Sequence, residues 1–323
     1  MAKKRVLVTG ASGFIGRSSL KPLADAGYEV HGVLSPNADP EPLPGTRVHR
    51  ADLLDAAAIE SLLAAVRPTH LLHFAWIATP GIYAASAENY RWLAASQHLV
   101  RTFQLSGGVR AVVAGSCAEY DWSKVKVCRE RTSPLADASG GPVSAYVECK
   151  LALQRALAEL GRTQGLSYAW GRIFYQFGPY EHPKRLVASV IINLLSDREA
   201  PCTHGRQVRS FLHVADVGAA FAALLDSTLE GPANIGSDEA ISIAELLQYV
   251  ARRIGRPKLL KLGAHSAPPN EPPVLVPDIA LLRDEVGWKP KMKLDEGIMD
   301  AIYWWQRRLA AAPGSQSGAV LPE

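Results

Sequence analysis

A strand that runs straight into three glycines constrains this chain more than anything else in it. The segment Arg5-Val-Leu-Val-Thr-Gly10-Ala-Ser-Gly13-Phe-Ile-Gly16 is an apolar run followed by glycines three residues apart, and a helical pattern starts at Phe14. Gly10 permits a tight turn, Gly13 lets the backbone approach a pyrophosphate, and Gly16 lets the helix pack close to the strand. The helix N-terminus then offers free N–H groups to phosphate oxygens. The same glycines also suit an ordinary strand-to-helix turn, so the dinucleotide reading needs a second signal.

That signal is Tyr146-Val-Glu-Cys-Lys150. Residues four apart are neighbours on a helix face, which sets a lysine beside a phenol. An adjacent ammonium stabilises the phenolate and is expected to lower the tyrosine pKa, fitting Tyr146 for proton exchange with a substrate oxygen. Alone, such a pair also describes a solvated helix face. Here it follows both the glycine motif and Ala111-Val-Val-Ala-Gly-Ser116, an apolar strand that ends in a hydroxyl.

Strand and helix patterns alternate from Lys4 to Arg172, which predicts an α/β, Rossmann-type doubly wound parallel sheet with helices on both faces. Strands are expected near 4–9, 29–34, 47–51, 70–74, 110–115 and 167–173, and helices near 14–26, 55–66, 85–106 and 142–164. The proline-rich stretches 35–45 and 264–277 read as loops. Residues 1–173 with about 209–229 form the expected dinucleotide-binding domain. A smaller C-terminal substrate lobe takes about 174–208 and 230–310, and 311–323 read as a tail.

With 48% hydrophobic and 20% charged residues, the chain has ordinary globular composition and enough length for a large core. No apolar run is long enough to span a bilayer and no signal pattern opens the chain, so no membrane partner is expected. A net charge of +4 without a dense basic run argues against nucleic acid and suits a small anionic ligand. Cys117, Cys128, Cys149 and Cys202 show neither metal spacing nor a disulfide framework, which reads as no metal and a reducing cytoplasm.

Together these motifs resemble the extended short-chain dehydrogenase/reductases, in particular the NAD(P)-dependent epimerase/dehydratase family that acts on nucleotide sugars. The resemblance runs from Lys4 to about Trp305. It implies a catalytic set of Ser116, Tyr146 and Lys150, with Ser116 and Tyr146 on one substrate oxygen and Lys150 on the nicotinamide ribose. It implies cofactor contacts from Gly10, Ser12, Gly13, Phe14, Ile15, Gly16 and Arg17 in the first turn. Ser35, Asp52, Leu53, Phe74, Ala75, Trp76 and Asn89 complete that set. Gly205-Arg-Gln-Val-Arg209-Ser-Phe resembles the sugar-nucleotide branch, in which Arg209 would hold a diphosphate. Thr79, Cys117, Tyr175 and Arg185 are the further substrate candidates. Trp76 serves equally well as core packing, and Arg209 as an ion-pair partner. Many relatives dimerise through two long helices, here about 85–106 and 142–164, so a homodimer is expected.

Departures from the family pattern narrow the chemistry. Dehydratases carry an Asp-Glu pair after the catalytic hydroxyl, where this chain has Cys117 and Ala118; Glu119 is one step out of phase if the segment is extended. Tyr175 stands where the family has an asparagine. The second phosphate-binding arginine is missing from Pro268-Pro-Asn-Glu271-Pro-Pro. The acidic residue that ends the second strand of NAD enzymes is replaced by Leu34, which favours NADP(H) over NAD(H), with Ser35 and Arg17 offered to the 2′-phosphate. The resulting expectation is an NADPH-dependent reductase of an NDP-4-keto-6-deoxy sugar. An NDP-sugar 4-epimerase with tightly held NAD uses the same set. The intact set argues against a non-catalytic dinucleotide-binding regulator.

Overall fold

The computed structural model describes residues 4–38, 40–137, 143–268 and 271–311. Its centre is a seven-stranded parallel sheet of β1 (Arg5–Thr9), β2 (Glu29–Leu34), β3 (Arg47–Arg50), β4 (His70–His73), β5 (Arg110–Ser116), β7 (Ser167–Ile173) and β12 (Gly231–Ile235), in the order β12-β7-β5-β4-β1-β2-β3. A central parallel strand is covered on both faces, so it must be apolar on both. In β1, Val6 and Val8 point into one core and Leu7 into the other.

The core around Val6 and Val8 is closed by α1 (Phe14–Asp25) and α6 (Val214–Asp226). The core around Leu7 is closed by α2 (Ala56–Val66), α3 (Glu88–Leu105) and α4 (Ala145–Gln164). The strand order reverses between β1 and β4. Their carboxyl ends therefore open the crevice in which a doubly wound sheet binds ligands.

The smaller lobe has its own core, built by α5 (Leu186–Leu195), α7 (Ile243–Ile254) and α8 (Leu294–Ala310) around Phe177, Ile191, Leu246 and Ile302. Short strands stitch it together. Strands β8 (Tyr175–Phe177) and β11 (Phe211–His213) pair in parallel, as do β9 (Ala200–Pro201) and β14 (Leu260–Lys261). A four-stranded sheet runs β13-β10-β15-β6, from β6 (Val127–Cys128), β10 (Val208–Arg209), β13 (Ile241–Ser242) and β15 (Val274–Pro277).

Two boundaries differ from the sequence expectation. Gly231–Ile235 completes the large sheet beside β7, so this part of 230–310 sits with the dinucleotide domain and not in the lobe. Leu282 and Trp288 also pack into the α1/α6 core. The stretch 264–277 ends as a strand, because its prolines spare Val274 to Val276: β15 pairs with β10 and β6, and the Val276 N–H donates to the Lys126 carbonyl at 3.0 Å. The proposed tail after Ala311 lies outside the described residues. No helix among them is long and apolar enough to cross a membrane.

Helices α1 and α6 cross at Gly218, where an added Cβ would stand 2.3 Å from the Ser18 carbonyl. Backbone cannot give way as a flexible side chain can. Gly218→Ala should therefore cost about 2–3 kcal/mol of stability, measured by urea unfolding.

Candidate active site

The glycine turn closes against the end of β4. Gly10 holds φ at +66°, and a Cβ there would lie 3.0 Å from the Ala75 nitrogen. A Cβ on Gly16 would lie 2.1 Å from the Gly10 carbonyl oxygen, so helix and turn meet as the sequence predicts. Gly13, the exposed N-cap of α1, supplies no side-chain acceptor, and the first turn carries no acidic residue. The leading N–H groups of α1 are thus left for an outside anion, and the turn fits a dinucleotide pyrophosphate.

Thr9 and His73 lock the floor of this crevice. Thr9 Oγ1 accepts from the N–H groups of Phe74 and Ala75 at 3.2 Å each and lies 2.7 Å from His73 Nδ1. His73 Nε2 meets Ser96 Oγ at 2.9 Å. Burial holds the His73 pKa down to about 3, so its ring stays neutral. Phe74 stacks edge-on against Phe221. Asn89 is fully buried: its Oδ1 accepts from Trp76 Nε1 at 2.8 Å and its Nδ2 donates to the Tyr83 and Ser86 carbonyls. Asn89 therefore orients Trp76 and the 83–86 backbone.

At the other end of the crevice Leu34 is buried and Ser35 exposed. Arg50 pairs in register with Leu34 across β2 and β3, and its Nη1 donates to the carbonyls of Pro36 at 2.9 Å and Ala38 at 2.6 Å. Sequence reading missed Arg50. The signal was the register of two neighbouring strands, which places their ends side by side. Arg17 donates to the Glu41 and Pro42 carbonyls at 3.1 Å each and stacks on the Tyr180 ring, with 4.4 Å to its centroid. Asp52 is exposed and accepts from the Leu54 N–H at 2.9 Å, while Leu53 faces the core.

The catalytic candidates converge behind β5. Ser116 ends that strand, and its hydroxyl, which accepts from the Ala118 N–H at 3.2 Å, acts on the Tyr146 phenol to lower its pKa. Tyr146 rises from the first turn of α4, which Ser144 caps, and packs edge-on against Tyr83. Two expectations need correction here. Burial, with the Glu119 carboxylate nearby, pushes the Tyr146 pKa above its ordinary value instead of lowering it. Lys150 does not offset this, because its ammonium donates to the Ala114 carbonyl at 2.9 Å and lies over the Trp76 ring at 3.9 Å. Burial also brings the Lys150 pKa down to about 7.

The second correction concerns Glu119. The segment Cys117–Glu119 is a single 3-10 turn, not an extended strand, and Glu119 reaches back to accept from the Ser116 N–H at 2.7 Å. The same buried carboxylate accepts from Trp170 Nε1 at 2.9 Å and pairs with Arg172 Nε at 2.8 Å. Glu119 thus holds the catalytic corner from behind. Cys117 is buried, and burial pushes its thiol up to about 12.

Arg209 lies fully buried, its guanidinium 5.4 Å from the centroid of the Tyr175 ring. It pairs with Glu271, Nη2 to Oε1 at 3.0 Å. Thr79 is exposed, and its carbonyl closes the turn to Ile82 and Tyr83. Arg185 begins α5 beside the buried Glu181. Among the described residues, no group of three metal-ligating side chains gathers.

The profile of the NAD dependent epimerase/dehydratase family matches residues 6–236, the span that carries the glycine turn, Ser116, Tyr146 and Lys150. The chain belongs to this family. It is 24% identical over 330 residues to UDP-glucuronic acid decarboxylase 1 of Xenopus tropicalis, covering 97% of this chain and 75% of that protein. It is 26% identical over 335 residues to the UDP-glucose 4-epimerase of Bacillus subtilis (strain 168), covering 93% and 96%. Its fold matches the UDP-glucose 4-epimerase of Thermotoga maritima solved with UDP-glucose, at a TM-score of 0.82 and 20% identity, over 94% of this chain and 99% of that one. The family profile ends at Gly236, just beyond the last strand of the large sheet, so most of the small lobe lies outside it.

Glu181 gives this site a titration that can be followed. Burial raises its pKa from 4.5 to about 8, only partly opposed by Arg185 and by backbone N–H groups of Ala188 and Gly178. Between those two values unfolding releases a proton, so this residue makes stability fall as pH rises from about 4.5 to about 8. Glu181→Gln should melt higher than the wild type at pH 8 and close to it at pH 4.5, measured by differential scanning fluorimetry across that range.

Proposed function

We propose that this chain is an NADPH-dependent reductase that converts the 4-keto group of an NDP-4-keto-6-deoxy sugar to a hydroxyl. The observation that carries the reading is the makeup of the catalytic corner. The turn that follows Ser116 offers Tyr146 no second acid or base in position to act. Ala118 offers no proton, the Cys117 thiol stays protonated at neutral pH, and Glu119 is tied to Arg172, Trp170 and the Ser116 backbone. Water elimination needs a further acid–base pair, whereas ketone reduction needs one proton donor.

When bound, NADPH supplies the hydride to C4 and leaves as NADP⁺. Ser116 Oγ hydrogen-bonds the carbonyl oxygen and fixes its direction. Tyr146 gives its phenolic proton to that oxygen, so the product is an alcohol. A buried phenol with a raised pKa is protonated before the reaction, as an acid must be. The Gly10–Gly16 turn would hold the pyrophosphate, and Lys150 the nicotinamide ribose. The end of β2 supports NADPH over NADH: Leu34 puts no carboxylate against a 2′-phosphate, and Arg50 adds a cation in register beside it.

The Bacillus subtilis relative supports a second reading, a nucleotide-sugar 4-epimerase that keeps NAD bound and oxidises and re-reduces one carbon. The same three residues serve both. Mass spectrometry of nucleotide released from the denatured protein separates them: stoichiometric NAD indicates the epimerase, and NADP(H) the reductase.

Tyr146→Phe should lower kcat at least a thousandfold, with the Kd for NADPH within about twofold of wild type, measured by steady-state kinetics and fluorescence titration. A variant that keeps most of its rate removes Tyr146 from the proton step. Leu34→Asp should shift the kcat/KM ratio towards NADH, and Arg50→Ala should raise the KM for NADPH about tenfold while sparing NADH. Equal effects of Arg50→Ala on both cofactors would remove it from the 2′-phosphate.

A further inference from the structure

The arginine expected to hold a substrate diphosphate already holds a carboxylate. Strand β10 carries Arg209 parallel to β15, with Val208 opposite Val274, so the chain just before β15 runs past the guanidinium. Glu271 lies on that run. Its Oε1 accepts from Arg209 Nη2 at 3.0 Å, and its Oε2 accepts from Gln207 Nε2 at 2.6 Å. Arg209 Nη1 donates to the Val208 carbonyl at 2.9 Å. Arg209 Nε is buried and has no acceptor at all.

The exposures set the order of the two groups. The Arg209 side chain is 0% exposed and that of Glu271 23%, so solvent reaches the carboxylate and not the guanidinium beneath it. An anion approaching Arg209 therefore meets Glu271 first. A diphosphate placed beside the intact pair would face a net charge near zero and a like charge at contact distance. Once the carboxylate swings away, the same guanidinium offers a free Nη2 as well as the orphan Nε, the two donors on one edge that grip a phosphate by a fork.

We infer that Glu271 is an internal competitor for Arg209, and that a nucleoside diphosphate binds this chain by displacing its carboxylate. The inference rests on the nucleotide-sugar reading of the site and adds a residue that sets its affinity. Arg209 remains the anion anchor. Glu271 keeps the buried guanidinium paired until a ligand with more negative charge replaces it, and its own carboxylate can then turn to water.

Isothermal titration of UDP, dTDP and GDP into the wild type, Glu271→Gln, Glu271→Ala, Arg209→Ala and the Arg209→Ala/Glu271→Gln double variant tests this. Removing the competing charge should tighten the best-bound nucleotide about tenfold in both Glu271 variants, which is about 1.4 kcal/mol. Arg209→Ala should weaken it, and adding Glu271→Gln to that background should give no gain. A gain in affinity cannot come from misfolding, so the result does not depend on matching the stabilities of the variants. If the wild type binds a nucleotide through Arg209 while both Glu271 variants bind it equally or more weakly, Glu271 is a ligand contact and the competition is overturned. If no nucleoside diphosphate binds the wild type or either Glu271 variant, the nucleotide-sugar reading falls along with it.

Discussion

The buried Glu119–Arg172 ion pair joins the pieces on which the active corner depends. The carboxylate accepts from three donors on two neighbouring strands: the Ser116 N–H, Trp170 Nε1 and Arg172 Nε. Arg172 spends its remaining donors on the Tyr120 hydroxyl at 3.2 Å and Gln154 Oε1 at 3.0 Å. Tyr120 then donates to Asn234 on β12, and Asn234 donates to the Cys128 and Asp278 carbonyls, where the neighbouring strands β6 and β15 of the small sheet end side by side. A buried charge pair is tolerated when each member is fully hydrogen-bonded, and removing one partner of such a pair typically costs about 3–5 kcal/mol. Here that cost would fall on the backbone of Ser116 and on the junction of the two lobes. Gly115 is part of the same arrangement, because a Cβ there would stand 2.1 Å from Trp170 Nε1 and 2.6 Å from Glu119 Oε1.

The cofactor crevice is tied across its mouth by a different set of contacts. Glu41, in the loop after β2, accepts from the Tyr180 hydroxyl at 2.5 Å and pairs with Arg308 of α8 at 3.0 Å. Arg17 of α1 is caught between that loop and the Tyr180 ring. These contacts join the start of α1, the proline-rich loop and the C-terminal helix. This gives Arg17 a packing role at the pyrophosphate end and leaves Arg50 as the cation beside Ser35. Exposed ion pairs are individually weak, so the bond from Tyr180 and the stacking of Arg17 carry more of this tie than Glu41–Arg308 does.

The crevice and its surroundings also show how low dielectric sets proton positions. His73, Tyr146, Cys117 and Glu181 are all held neutral by burial, and Lys150 is brought close to neutrality at physiological pH.

Much of this was legible in the sequence. Three glycines after an apolar strand, a tyrosine four residues before a lysine and the alternation of strand and helix each follow from local periodicity, and local periodicity is written along the chain. All six expected strands begin within one residue of their observed starts, the inner ones because parallel strands buried on both faces must be apolar runs. The turn at Cys117–Glu119 was misread as extended because its geometry depends on a hydrogen bond from Ser116 to a carboxylate anchored by Arg172, 53 residues away. Arg50 beside Leu34, Glu271 on Arg209 and Gly231–Ile235 beside β7 are likewise meetings of segments far apart in the chain. Composition and spacing thus determined that this protein has a dinucleotide fold with a Ser/Tyr/Lys set. The tertiary structure alone decided which charges neutralise one another inside it, because an ion pair is a property of distance in space and leaves no periodic mark on the sequence.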